Sequence, residues 1–96
     1  MTTENADDLE WSIEKNEQLK RERDLCFEDI VEAIQNFGVL ADVSNQRAGR
    51  SHQGILLVKL NGYVHAVPYV NSKKGKFLKT IYPSRQFNAI YGDLNE

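Results

Sequence analysis

The apolar positions of this 96-residue chain change their period once, close to residue 39. Before that point the spacing is helical. Phe27, Ile30, Val31 and Ile34, followed by Phe37 or Val39, recur at intervals of three and four, the signature of one buried helix face. Glu28, Asp29, Glu32 and Gln35 fill the opposite side, and acids in a first turn suit the helix dipole. Asp24 or Cys26 stands at the cap position, and Gly38 is placed to end the helix through a left-handed residue. Upstream, Ser12 can cap a first helix running to about Arg23, rich in Glu, Lys, Gln and Arg. Its apolar content is only Trp11, Ile13 and Leu19, so it should touch the core along a narrow stripe. Glu17 and Arg21 are spaced for a surface pair. Residues 1–10 read as a flexible acidic arm.

After residue 39 the period becomes that of strands. Residues 39–43 suit a short first strand, and residues 44–53 hold no large apolar side chain, which predicts a polar, basic loop. Gly54 to Leu60 reads as a strand, Asn61-Gly62 as a two-residue hairpin turn, and Tyr63 to Val70 as the returning strand. That turn sets Leu60 opposite Tyr63, Val58 opposite His65, Leu56 opposite Val67 and Gly54 opposite Tyr69 on one side of the sheet. Ile55, Leu57, Lys59, Val64, Ala66, Pro68 and Val70 share the other side. Pro68 cannot donate to a ladder, so it marks an edge or a bulge. Residues 71–76 form a basic turn, Phe77 to Tyr82 a third strand, and Pro83 its end. Ser84 can cap a short last helix with Phe87, Ile90 and Tyr91 on one face and Gly92 at its end. The expected class is α+β: two N-terminal helices packed on a small three- to four-stranded antiparallel sheet, then a short C-terminal helix, in one domain over residues 11–92. Both faces of the hairpin are apolar, so the face without helices needs a partner, a loop or a ligand.

Composition narrows the function. Apolar residues are 41% and charged residues 27%, ordinary for a soluble globular chain. The longest apolar run, Ile55 to Val58, is far too short for a membrane helix, and no secretory or mitochondrial signal is legible; a cytoplasmic protein is expected. A single cysteine, Cys26, excludes an internal disulfide, and with His52 and His65 it is too few for a structural metal site. No phosphate-binding glycine loop is present, and no cofactor is expected. The net charge of −2 conceals two unlike halves: residues 1–42 carry a net −8 and residues 43–96 a net +6. The second half therefore suits a polyanion or an acidic partner, unless the halves simply pair with each other.

The chemistry of that half is eight cations, two histidines and four tyrosines. Such groups suffice for RNA cleavage without a metal, in which the 2′-hydroxyl attacks its own phosphodiester. The step needs a base, cations on the phosphorane and an acid for the leaving oxygen. Lys79 and Arg85 lie within one strand and its exit, while Tyr63, Tyr69 and Tyr82 can stack on unpaired bases. Arg47, Arg50, Lys73 and Lys74 are the further candidates for RNA binding, and His52, in the polar loop, for proton transfer. Each has a plainer reading. Lysines 73, 74 and 76 can merely solvate a turn, strand tyrosines usually pack, and His65 reads as a half-buried structural residue. Lys79 shares strand parity with Phe77 and Ile81, so it either snorkels or lines a site.

Two segments resemble a family. Residues 9–16 (Leu-Glu-Trp-Ser-Ile-Glu-Lys-Asn) with Cys26-Phe27-Glu28-Asp29-Ile30 are similar to the start of BrnT-like toxins of bacterial toxin–antitoxin pairs. Those have an aromatic, a cap, a Lys-Asn pair and then a second helix opening Ser-Phe-Glu-Glu. Residues 77–85, from Phe77 to Arg85, look like their last strand and its arginine exit, and the stretch from Gln53 through Gly62-Tyr63 to Tyr69 looks like a subgroup of such toxins. The likeness runs over residues 9–91 and rests on order and spacing. It implies a fold related to the RelE and ParE toxins, ribonuclease activity that blocks translation, and a cognate antitoxin, a small DNA-binding protein, held in a hetero-oligomer. It puts Arg85 at the family's exit arginine and Lys79 on the matching strand. The chain departs from the pattern at Cys26, where a capping Ser is usual, and in residues 44–53, which lack the family's acids. The expected function is therefore a metal-independent endoribonuclease toxin. The alternatives are a non-catalytic ParE-like poison of a protein target, and a plain RNA- or protein-binding module.

Overall fold

A computed structural model describes residues 8–44 and 53–92. Helix α1 spans Ile13–Arg23 and α2 Phe27–Phe37. The hydroxyl of Ser12 accepts the Lys15 N–H at 3.2 Å, so α1 starts where its cap predicts. It stops at Asp24, whose φ of 57° is left-handed, and the Leu25 N–H turns back to the Leu19 carbonyl. Cys26 occupies the N-cap of α2 without a side-chain cap bond. Asn16 from α1 takes over that work: its Oδ1 accepts the Phe27 N–H and its Nδ2 donates to Glu28 Oε1, both at 2.8 Å. Gly38, at φ 83°, ends α2. Glu17 pairs with Lys20 at 3.4 Å, not with Arg21.

Six strands form one mixed sheet: β1 Leu9–Trp11, β2 Ala41–Ser44, β3 Gln53–Leu60, β4 Tyr63–Asn71, β5 Lys76–Leu78 and β6 Tyr82–Pro83. Helix α3, Arg85–Tyr91, follows. The order is β1-β5-β4-β3-β2, with β6 also on β4. The β3–β4 hairpin has the expected register, from Leu60↔Tyr63 to Gln53↔Val70. The α+β class holds, but the expected three- to four-stranded antiparallel sheet is corrected. β1 pairs parallel to β5, so Leu9 and Glu10 belong to the sheet and not to an arm. Leu9 is 8% exposed and Trp11 stacks on Phe27 with ring centroids 5.3 Å apart, and this burial holds so short a strand.

The expected third strand, 77–82, is broken by a β-bulge. Tyr69 pairs with Leu78 and Ala66 with Tyr82, so four steps along one strand match three along β4. Pro68 faces this gap, where its carbonyl takes the Lys79 N–H at 2.8 Å and no donor is asked of its nitrogen. Beyond the bulge the ladder ends at Val64. Its carbonyl accepts the Ser84 N–H, and its own N–H goes to Asn88 Oδ1 of α3 at 3.0 Å.

The helices α1 and α2 cover one face of the sheet, where Leu19, Phe27, Ile30, Leu56, Val58, Val67, Leu78 and Ile81 are buried. The other face is built on Leu57, Val64 and Ala66, with Phe87 and Tyr91 of α3 packed against them. Part of the cover expected for that face is thus α3 itself. Ile90 is not part of it: at 62% exposed it leaves the packed side of α3 to Phe87 and Tyr91. Phe37, 67% exposed, likewise yields its place in the core to Val39.

Candidate functional site

The bulge gathers cations. Lys79 lies just before it, exposed, with Nζ 5.6 Å from the Phe77 ring centroid. The extra residue breaks the parity expected for Lys79 and Ile81. Ile81 turns into the helix-side core at 0% exposure, on the same side as Leu78, while Lys79 stays in solvent beside the half-buried Phe77. After β6, Arg85 is the first residue of α3 and is exposed. A third cation arrives from a distant part of the chain. Arg23 ends α1, and its Nη1 donates to the Ile81 carbonyl at 2.9 Å, so a guanidinium sits on the bulge between Lys79 and Arg85 in the sequence. Sequence reading missed Arg23, because nothing local ties residue 23 to residue 81. The signal that was available is Pro68, whose missing donor already pointed to a bulge.

The other predicted residues are spread out. Lys73 and Lys74 are exposed on the turn between β4 and β5. Tyr63 starts β4, at the far end of a nine-residue strand. At the usual rise that is roughly 27 Å away, so these three do not form one patch. Tyr63 lies edge-on to His65 with ring centroids 6.2 Å apart. His65 is 7% exposed, and its Nδ1 bonds to the Tyr63 carbonyl at 2.9 Å, which accounts for it structurally. Tyr82 is half-buried against the second core with Phe87 and Tyr91. Arg47, Arg50 and His52 lie outside the described residues.

One further polar contact was not foreseen. The phenol of Tyr69 donates to Asp42 Oδ1 at 2.7 Å, and Lys76 Nζ stands 5.1 Å from the centre of the Tyr69 ring. Tyr69 crosses β3 at Gly54 to reach β2, and a Cβ at Gly54 would lie only 2.5 Å from the phenol oxygen. Lys59 is engaged with the end of α3 through the Gly92 carbonyl at 2.7 Å. A hollow of about 330 Å³ beside it, lined by Phe37, Asn61 and Gly62, touches none of the predicted site residues.

Lys20 pairs with Glu17 inside α1 at 3.4 Å. Among the described residues no three His, Cys, Asp or Glu side chains come together as a metal site, and no helix is long and apolar enough to cross a membrane. Lys79 and Arg85 flank in sequence the carbonyl that the Arg23 guanidinium holds, and ammonium and guanidinium groups are side chains suited to phosphate oxygens. No protein-family model, curated protein or solved structure matches this chain.

Proposed function

We propose that this protein is the toxin of a bacterial toxin–antitoxin pair and cleaves RNA without a metal ion, at the cationic edge formed by Lys79 and Arg85. The observation that carries this reading is the β-bulge, which keeps Lys79 in solvent while Ile81 turns into the core, with Arg85 exposed just beyond. In this reading the 2′-hydroxyl of the substrate attacks the adjacent phosphorus and expels the 5′-oxygen. Lys79 and Arg85 stabilise the charge that develops on the phosphorane oxygens, and His52 moves the proton. Arg47, Arg50, Lys73 and Lys74 hold the flanking strand through its phosphates. Tyr63 and Tyr82 are the stacking candidates, although they sit on different faces of the sheet. A small DNA-binding antitoxin neutralises the toxin in a hetero-oligomer, and both work in the cytoplasm.

Expression from a tightly repressed promoter in a bacterium, with no partner gene, tests the reading. Growth arrest with fragmented RNA supports it, and normal growth with soluble protein contradicts it. A specific observation favours a second reading, a ParE-like poison that grips a protein. The described histidine, His65, is buried on the helix side of the sheet, away from Lys79, and Ile90 on α3 presents an apolar side chain to solvent. Growth arrest with intact RNA would select that second reading.

A further inference from the structure

We infer that Arg23 is a third phosphate-binding residue of the same edge; this rests on the RNA-binding reading above. Arg23 reaches across 58 positions of sequence to the bulge, where Nη1 donates to the Ile81 carbonyl at 2.9 Å. Lys79 lies two residues before that carbonyl and Arg85 four residues after it. The bulge carbonyl itself asks for one hydrogen bond, which any donor, water included, would satisfy. A guanidinium brings five donors in a rigid plane and a full charge. Holding one donor on Ile81 orients the plane and lowers the conformational cost of using the others on a phosphate. The residue is exposed, so those donors are open to a ligand. The last turn of α1 adds Lys20 and Arg21 to the same end of the helix, and Lys20 is already engaged with Glu17.

The purely structural alternative is that Arg23 only pins α1 to the bulge. The two differ in the salt dependence of binding. Each phosphate contact to a single strand contributes about 0.7 to the slope of log K against log salt. The probe is a short fluorescent single-stranded RNA with 2′-O-methyl groups, which binds without being cut, followed by polarisation over a salt series. Arg23→Gln should weaken binding and reduce the slope by about 0.7, whereas Arg23→Lys, which keeps the charge, should retain the slope. Melting temperatures of both variants separate lost binding from lost folding. An unchanged slope for folded Arg23→Gln overturns the inference while leaving the RNA reading intact. Failure of the wild-type protein to bind the RNA at all overturns both.

Discussion

Asn16 is 4% exposed and uses both ends of its amide. It supplies the first turn of α2 with the acceptor that Cys26 does not, and it holds Glu28 from the other side. Removing it leaves the buried Phe27 N–H without a partner, so Asn16→Ala should cost about 1–3 kcal/mol in urea unfolding. A variant as stable as the parent would contradict this role. The same bracket has a pH signature. The hydrogen bond from Asn16 holds the Glu28 carboxyl below its ordinary value. A carboxyl depressed on folding stabilises the fold above its unfolded pKa, and that contribution is lost as pH falls through the folded value. Glu28 is exposed, so the effect is small. The stability difference between the wild type and Glu28→Gln should be present at neutral pH and vanish in acid; a difference that grows on acidification would have the wrong sign. Burial pushes the Cys26 thiol up, which makes it a poor nucleophile at neutral pH.

At the scale of elements, the bond from Tyr69 to Asp42 ties β4 to the edge strand β2 across Gly54. A methyl at Gly54 meets the phenol oxygen and the rigid ring behind it. Gly54→Ala should therefore break the Tyr69–Asp42 bond and cost about 1–3 kcal/mol, read as a lower melting temperature. Tyr69→Phe, which removes the bond without the clash, separates the two contributions. Such contacts mark what sequence does and does not reveal. The α2 face was legible because its spacing is regular, and the hairpin register because Asn61-Gly62 permits one turn length. β1 was not, since three residues in a parallel pair leave no local pattern, and their partner lies 67 positions away. Nor was the bulge, because alternation counted from Phe77 assumes no inserted residue, and one insertion reverses the side of everything after it. Plain alternation therefore puts Lys79 and Ile81 on one side, whereas Ile81 is buried in the helix-side core and Lys79 is exposed.

At the scale of the molecule, the charge asymmetry becomes a matter of position. The cations at the bulge come from both halves, Arg23 from the acidic one and Lys79 and Arg85 from the basic one. Two of these three cations were thus visible in the charge of the second half, and the third depended on a contact between α1 and the sheet. In the proposed function this edge cuts RNA without a metal. The direct measurement is cleavage of a purified single-stranded RNA by the wild type and by Arg85→Ala, both in EDTA. Arg85 is exposed at the start of α3, so the substitution should leave the melting temperature nearly unchanged. The wild type should cleave the RNA, and the variant should lose about a hundredfold or more, the scale seen when one charge-stabilising donor is removed. Equal cleavage by the two proteins would contradict the site, and intact RNA with folded wild type would contradict the proposed activity itself.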